Sequence, residues 1–226
     1  MNLITAVSWR YDRLKQQSAQ ARNSLRREFS EPIARVQVYS WAPHLREFLR
    51  DRNKAAIAPK YAHARNLYRI VRDRRPLRVL EYGSGVSTAV IAEALTQNGA
   101  GQLTSIDNCK EWADETMRTM PQSVAHCVRV LHYPVKEGMV GGVRVYRYGF
   151  QPTLAPDMIY LDGPNLDGDI YAAADLLDLE PSLEPRCLLL IDCRYEQTRF
   201  LQAHFKRDWS FYRHPAFHYA KMELKK

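Results

Sequence analysis

Short, continuously apolar runs alternate with segments of helical spacing along residues 77–226 of this chain. The runs predict five strands: Leu77–Leu80, Leu103–Ile106, Val128–Tyr133, Met158–Leu161 and Leu188–Ile191. The segments after or between them predict four helices: Val86–Leu95, Lys110–Met120, Ile170–Leu179 and Glu196–Phe205. Apolar runs without alternation are typical of strands buried on both faces. The order therefore predicts an α/β fold, in which a mostly parallel sheet lies between two layers of helices.

Two segments depart from this alternation. Trp209–Arg213 and Phe217–Met222 predict a terminal antiparallel strand pair that turns around Pro215. Pro134–Tyr148 contains three glycines and then alternates apolar with basic residues, which predicts a hairpin inserted between the third and fourth strands.

Residues 1–76 have a different pattern of apolar and polar positions, which predicts helices only. Apolar residues recur at helical spacing near the start of the chain, and Pro32 is expected to interrupt that pattern. Two further helices are predicted over Pro43–Arg52 and Pro59–Arg72. We therefore divide the chain into a helical extension, residues 1–76, and an α/β domain, residues 77–226.

Charge is distributed unevenly between these two parts. Residues 1–80 carry 18 Lys and Arg against 6 Asp and Glu, whereas residues 81–226 carry 15 against 19. A basic surface of this kind is either a solvated helical face or a patch for nucleic acid, anionic lipid or an acidic substrate. The four cysteines have no C-x-x-C spacing, which indicates neither zinc binding nor redox chemistry. No secretory signal and no bilayer-length apolar run is evident, so we expect a cytoplasmic protein.

The strongest chemical signal is Val79-Leu-Glu-Tyr-Gly-Ser-Gly-Val-Ser-Thr88, a strand that enters a glycine-rich turn and then a helix. Glycine allows the backbone to approach a ligand closely. The helix that follows presents N–H groups without intrahelical partners. Such a turn on its own occurs in many nucleotide-binding sheets.

An acid at the end of the second strand makes the signal more specific. Asp107 follows Leu103–Ile106, lies 22 residues after Gly85, and is followed by Asn108. A carboxylate at this position can accept hydrogen bonds from both ribose hydroxyls of a nucleoside. Asp107 is also well placed to cap the helix that starts at Lys110, and the two roles are compatible.

With Glu81, Gly83, Gly85, Asp107 and the strand-end Asp162, residues 77–226 resemble the class I S-adenosylmethionine-dependent methyltransferases. The resemblance implies a seven-stranded sheet whose last strand pair is antiparallel. It also implies that the glycine turn packs on the methionine part of the donor and that Asp107 holds its ribose. We assign the donor site to these five residues and to their neighbours Ser84, Ser87 and Asn108. The family often has a third glycine where this chain has Ser87.

NAD-binding domains share a glycine-rich turn and an acid after the second strand. Their turn usually reads G-x-G-x-x-G, with a pyrophosphate on the helix N-terminus. Here Thr88 stands at the last glycine position, and Glu81 precedes the turn by two residues. A carboxylate suits the cationic methionine end of S-adenosylmethionine better than it suits a phosphate.

Asp162 and Asp192 end neighbouring strands and are our candidate catalytic residues. Two such carboxylates can hold Mg²⁺. The arrangement resembles the magnesium-dependent O-methyltransferases of the catechol type, in which an Asn directly after the second Asp is a third ligand. This chain has Cys193 there, a poor ligand for magnesium. Alternatively, Asp162 acts as a general base, positions the acceptor hydroxyl, or caps the glycine turn. His132 and Tyr133, at the end of the third strand, are further pocket candidates.

Three functions remain open from the sequence. The first is O-methylation of a small molecule or glycan, with the hairpin and the N-terminal helices covering the acceptor. The second is methylation of nucleic acid or protein docked on the basic N-terminal third, although no N-P-P-Y-like motif is present. The third is a non-catalytic binding module that contacts a membrane surface through residues 1–30. Arg144 and Arg147, alternating with Tyr146 and Tyr148, form either a nucleic-acid surface or a strand with one buried face.

Overall fold

The computed structural model describes residues 30–56, 58–164, 172–192, 194–213 and 219–225. Within them the strands are β1 (Arg78–Tyr82), β2 (Gln102–Asp107), β3 (Val128–His132), β4 (Lys136–Val140), β5 (Val143–Arg147), β6 (Met158–Leu161), β7 (Ala172–Ala173), β8 (Leu188–Asp192), β9 (Trp209–Arg213) and β10 (Tyr219–Leu224). The helices are α1 (30–41), α2 (Pro43–Asp51), α3 (Tyr61–Arg74), α4 (Val86–Asn98), α5 (Lys110–Thr119), α6 (Gln122–Ala125), α7 (Asp175–Leu179) and α8 (Tyr195–His204). A short 3₁₀ helix, Glu180–Ser182, follows α7.

Seven strands form one sheet in the order β3–β2–β1–β6–β8–β10–β9. The pairs from β3 to β8 are parallel, and β10 runs antiparallel to both β8 and β9. The strand order reverses between β1 and β6, where Tyr82 pairs with Leu161. In open α/β sheets, ligands bind at such a reversal, beyond the carboxyl ends of the strands. The predicted fold class and the antiparallel strand pair at the end of the chain are confirmed.

Alternate residues of the central strands point to opposite faces of the sheet, and each face has its own core. On one face Val79 and Met158 pack with buried residues of α2, α3 and α4. On the other face Leu80 and Ile159 pack with buried residues of α7, α8 and β5. Helices therefore cover both sides of the sheet, as the continuous apolar runs predicted.

The inserted hairpin is confirmed, but the predicted helix Ile170–Leu179 is only partly correct. The hairpin consists of β4 and β5, and β7 adds to β5 in parallel to form a separate three-stranded sheet. Ala172 and Ala173 are therefore strand residues, and the helix begins at Asp175. The side-chain amide of Gln197 both donates to and accepts from the backbone of Ala173, at 2.9 and 2.6 Å. These bonds satisfy the extended backbone of Ala173. The sequence alone does not indicate a strand here, because alanine is also favourable in helices.

Pro32 lies inside a helix, contrary to the expected interruption. The described part of α1 begins at Ser30, and Pro32 is helical within it. Next to it, Glu31 caps another helix, because its carboxylate accepts hydrogen bonds from the backbone N–H groups of Tyr61 and Ala62 at 2.8 and 3.1 Å. This contact fixes the first turn of α3, which the functional site uses.

Some predictions lie outside the described residues. They are the helical pattern before residue 30 and the turn around Pro215. The helices predicted over Pro43–Arg52 and Pro59–Arg72 are confirmed as α2 and α3, which pack on α4. The domain boundary after residue 76 stays a prediction. Among the described helices, none has the length and hydrophobicity needed to cross a membrane.

Candidate functional site

The glycine turn after β1 lies directly against the loop after β6. Gly83 has a φ of +89°, a backbone conformation that favours glycine, and a Cβ there would lie 2.8 Å from the nitrogen of Gly163. The carbonyl of Tyr82 accepts the backbone N–H groups of Asp162 and Gly163 at 2.9 and 2.5 Å. Two glycine backbones in contact therefore hold Asp162 beside the turn.

Asp107, the last residue of β2, connects this strand to the glycine turn through hydrogen bonds. One carboxylate oxygen accepts the backbone N–H and the hydroxyl of Ser84, at 2.7 and 2.8 Å. The other oxygen accepts the N–H of Cys109 at 2.9 Å, just before α5. The helix-capping role considered from the sequence is therefore present. Asn108, the neighbouring candidate, is half-buried.

Glu81 is fully buried beneath the turn. One oxygen accepts the hydroxyl of Thr88 at 2.6 Å, and that hydroxyl accepts the N–H of Gly85 at 2.8 Å. The other oxygen has no hydrogen-bond partner. Burial, partly offset by nearby hydroxyls, raises the pKa of Glu81 to about 7. A buried acceptor without a partner is costly in the absence of a ligand, which makes Glu81 a candidate for binding a donor group.

A cavity of about 190 Å³ opens beyond the carboxyl ends of β1, β6 and β8. The glycine turn, the two catalytic candidates and the N-terminal helices all contribute side chains or backbone to it. The lining includes Ser84, Gly85, Ser87, Asp162, Asp192, Arg52, Lys60 and His63. The seven predicted donor residues other than Asp162 lie at the glycine turn, beneath it, or at the end of β2, so the structure brings the predicted set together.

The two strand-end acids have different surroundings. Asp192 is largely buried, and its carboxylate lies 2.9 Å from Nδ1 of His63, a residue of α3. Asp162 is exposed at the cavity, and the neighbouring protein partly desolvates its carboxylate. This desolvation and the negative charge of Asp192 raise the pKa of Asp162 to about 6, against the opposing positive charges of Arg194, Lys60 and His63.

The residues at this position do not fit a magnesium ion. No group of three His, Cys, Asp or Glu side chains suited to a metal occurs in the part of the chain that the structure describes. Lys60 and Arg194 already supply positive charge to Asp162, and His63 engages Asp192. The sequence has Cys193 in place of an oxygen ligand. The predicted Mg²⁺ site at Asp162 and Asp192 is therefore not supported.

The sequence analysis expected the N-terminal helices to cover the acceptor, but it missed the individual residues that line the cavity. Arg52, at the end of α2, and His63, in the first turn of α3, line the same cavity as the glycine turn. The ring nitrogen Nε2 of His63 is buried without a hydrogen-bond partner. A lone histidine on a predicted helix face carries no signal in one sequence, because its partner Asp192 is 129 residues away.

The remaining pocket candidates lie elsewhere. Tyr133 packs edge-on against Phe150 and lines a second cavity of about 430 Å³ next to Tyr148, whereas His132 is exposed. In the hairpin, Arg144 pairs with Glu137 and Arg147 with Asp178, so carboxylates already engage both arginines. The buried Val145 and Tyr148 fit the alternative of a strand with one buried face.

Comparison with known proteins places this geometry in a class. Similar solved structures include a methyltransferase from Geobacter sulfurreducens (16% identity, TM-score 0.54, 80% of this chain and 87% of that one). An O-methyltransferase from Bacillus cereus in complex with SAH is also similar (14%, 0.53, 84% and 96%). A third is an SAH-bound methyltransferase from Podospora anserina (16%, 0.55, 87% and 96%). At these identities the matches establish the fold, which is that of the class I methyltransferases.

The family follows from the sequence itself. The model of the methyltransferase-domain family matches residues 80–192, which is half of the chain. The chain therefore belongs to the methyltransferase-domain family. The resemblance to S-adenosylmethionine-dependent methyltransferases is confirmed in family and fold. No curated protein matches the chain significantly.

Proposed function

We propose that this protein transfers the methyl group of S-adenosylmethionine to a hydroxyl of a small molecule or glycan. The observation that carries the proposal is the shared cavity, in which the glycine turn meets Asp162 and Asp192. Methyl transfer needs the sulfonium and the acceptor in line and close together, and one cavity lined by both groups allows this. The two SAH-bound neighbours support the choice of donor.

For the donor, we assign the adenosine ribose to Asp107 and the methionine part to the turn Gly83-Ser-Gly85 with Ser87. The Asp107 oxygen that accepts only the N–H of Cys109 has a second lone pair, which can accept a ribose hydroxyl. The unpartnered oxygen of Glu81 suits the ammonium group of the donor, directly or through a water.

For the acceptor, we assign the hydroxyl to the space next to Asp162. The sulfonium is already an activated leaving group, so the protein mainly aligns the reactants and excludes water. As the acceptor oxygen attacks the methyl carbon, the carbon–sulfur bond breaks and its electron pair stays on sulfur. Asp162, with a pKa of about 6, is ionised at neutral pH and can accept the hydroxyl proton. Asp192 holds His63 at the same cavity.

We also propose that residues 1–76 act as a cover for this site rather than as a separate unit. The support is that Arg52, Lys60 and His63 line the cavity from the N-terminal side. Glu31 fixes the segment that carries two of them through the first turn of α3.

Calorimetric titration with S-adenosylmethionine tests the donor assignment. We expect the wild-type chain to bind, and Asp107→Ala to lose binding by at least about 100-fold, because it removes the ribose acceptor and releases Ser84. Asp114→Ala, on the exposed side of α5 in an ion pair with Lys110, is the matched control and is expected to bind normally. Undiminished binding by Asp107→Ala would refute the donor site.

Radiolabelled methyl transfer to a panel of phenols, catechols and sugars tests the acceptor class. We expect transfer to at least one hydroxyl compound and its loss in Asp162→Asn. Transfer only to amines or to RNA would contradict O-methylation while leaving the donor site intact.

A further inference from the structure

The seven-stranded sheet ends at β9, a strand of five residues. In the part of the chain that the structure describes, no other strand pairs with its outer edge. Four of its five residues are exposed, and Phe211 and Tyr212 are 42% and 52% exposed. Folded proteins usually protect such an edge with lysine, proline or a bulge, because an unpaired strand attracts further strands. The sequence of β9, Trp209-Ser-Phe-Tyr-Arg213, contains neither lysine nor proline.

The pairing with β10 determines which backbone groups of β9 point away from the sheet. Asp208 and Lys225 continue the antiparallel register of β9 and β10, and the N–H of Lys225 donates to the carbonyl of Asp208 at 2.9 Å. Hydrogen-bonded and non-hydrogen-bonded pairs alternate along an antiparallel ladder, so the even-numbered residues of β9 bond to β10. The N–H and C=O groups of Trp209, Phe211 and Arg213 therefore point outward, at the free edge.

A second copy of β9 can pair with every one of these outward groups. In an antiparallel pair with a two-fold axis at Phe211, the backbone of Phe211 faces the backbone of Phe211 in the second copy. Trp209 then faces Arg213 of the second copy, and Arg213 faces Trp209. Every outward N–H and C=O of both strands has a partner in this register. A shift by two residues leaves outward groups at one end of each strand unpaired.

The side chains of β9 agree with this register. Arg213 is the only charged residue of the strand, and the axis places it opposite Trp209 rather than opposite another arginine. Like charges that face each other directly destabilise a strand pair, and this register avoids them. The exposed rings of Phe211 lie side by side at the axis, where an aromatic pair stabilises the pairing of two strands.

We propose that the protein forms a two-fold symmetric dimer through β9, in which the two seven-stranded sheets become one continuous sheet. A two-fold dimer uses the same surface twice, and β9 is complementary to itself in the register centred on Phe211. An extended segment of another protein can also add to a free edge, but the self-complementary register favours a second copy. The dimer is independent of the proposed methyl transfer, because β10 separates β9 from β8 and the cavity.

Sedimentation of the full chain over a range of concentrations tests the dimer. Two strands of five residues form a small interface, so we expect a dissociation constant of about 1 to 100 µM. The measured mass should rise with concentration from 26.2 kDa towards twice that value. Phe211→Lys places two like charges at the axis and should weaken the dimer about 10-fold or more. Leu154→Lys, the same kind of change at an exposed apolar residue outside β9, is the matched control and should dimerise like the wild type.

A mixture of two variants tests whether residue 211 meets itself across the axis. Phe211→Lys and Phe211→Glu should each be mainly monomeric when alone. Their equimolar mixture should recover the dimer, because opposite charges then face each other at the axis.

Amide hydrogen exchange in the wild type tests the register without any substitution. The N–H groups of Ser210 and Tyr212 point to β10 and should be protected at every concentration. Those of Trp209, Phe211 and Arg213 should gain protection only as the dimer forms.

Three results would overturn the proposal. The first is a wild-type chain that stays monomeric well above about 100 µM. The second is a dimer that Phe211→Lys leaves unchanged, because its interface would then lie elsewhere. The third is protection of the Phe211 N–H in the monomer, because another part of the chain would then cover the edge.

Discussion

The two halves of the site use their polar groups in opposite ways. In the donor half, formed by Glu81, the glycine turn and Asp107, most polar atoms bond to one another, and Asp107 alone accepts three internal hydrogen bonds. In the acceptor half, formed by Asp162, Asp192, Lys60 and His63, two acids lie close together and Nε2 of His63 has no hydrogen-bond partner. The donor half is therefore preformed by its own bonds, whereas the acceptor half leaves polar capacity for a substrate.

The largest expected change in stability comes from disturbing the contact between Gly83 and Gly163, which joins the two halves. Gly83→Ala would force a Cβ to within 2.8 Å of the Gly163 nitrogen at a φ of +89°. Overpacking against backbone and the left-handed conformation together are expected to lower the free energy of unfolding by about 4 kcal/mol. Urea denaturation measures this value.

Gly142→Ala is the matched control for Gly83→Ala. Gly142 has a φ of +80° but nothing within 4 Å of an added Cβ. We expect a loss of about 1 to 2 kcal/mol, from the backbone conformation alone. Equal losses in the two variants would show that the contact between Gly83 and Gly163 contributes nothing.

A smaller change is expected in the pH dependence of stability, which depends on the buried Glu81 of the donor half. The folded pKa of Glu81, about 7, is above its ordinary value of 4.5, so between these pH values the folded chain binds more protons than the unfolded chain. The free energy of unfolding should therefore fall as pH rises from about 4.5 to about 7, by about 2 to 3 kcal/mol. Glu81→Gln should remove this share of the fall and leave the share due to the raised pKa of Asp162, as measured by denaturation across the pH range.

Glu137→Gln provides the comparison for Glu81→Gln. Glu137 is exposed in the hairpin and pairs with Arg144. We expect this variant to keep the pH dependence of the wild type and to change stability by less than about 0.5 kcal/mol. A wild-type stability that is flat between pH 4.5 and 7 would show that Glu81 keeps an ordinary pKa.

The smallest expected effect concerns the hydrogen bond between His63 and Asp192, which connects α3 to the acceptor half. The His63 and Asp192 side chains are each 11% exposed and lie 2.9 Å apart. A double-mutant cycle with His63→Gln and Asp192→Asn should give a coupling of about 1 to 2 kcal/mol at neutral pH. The pair His44–Glu93, in which His44 is more exposed and neither residue lines the cavity, should give about 0.5 to 1 kcal/mol in the same cycle. Zero coupling for His63 and Asp192 would mean that the pair does not order the site.

These two halves also differ in how far the sequence predicts them. Ser84 and Asp107 are 23 positions apart, after β1 and at the end of β2, and their types and spacing predicted the proposed donor half. His63 and Asp192 are 129 positions apart, and only the packing of α3 against the sheet brings them together. The sequence indicated Asp192 because it ends an apolar strand, and gave no comparable signal for His63 or Arg52.

The fold was predictable for the same physical reason. Buried parallel strands have continuous apolar runs, so β1, β2, β6 and β8 are evident along the chain. Ala172 and Ala173 were misassigned because small residues suit both helix and strand, and the deciding contacts come from Gln197 and β5. Pro32 was expected to interrupt a helical pattern, whereas Ser30 and Glu31 before it and the residues after it are all helical.

The contact between Gly83 and Gly163 has a consequence for how substrate preference diversifies on this scaffold. The backbones of Gly83 and Gly163 touch there without an intervening side chain. Under the proposed function, substitutions at this contact therefore have little scope to change the distance between the methyl donor and the acceptor oxygen. Under the proposed function, we expect a change of acceptor to come instead from residues that line the cavity from the α2–α3 side, such as Lys60. Libraries that aim to retarget this protein should therefore vary these residues and leave both glycines untouched.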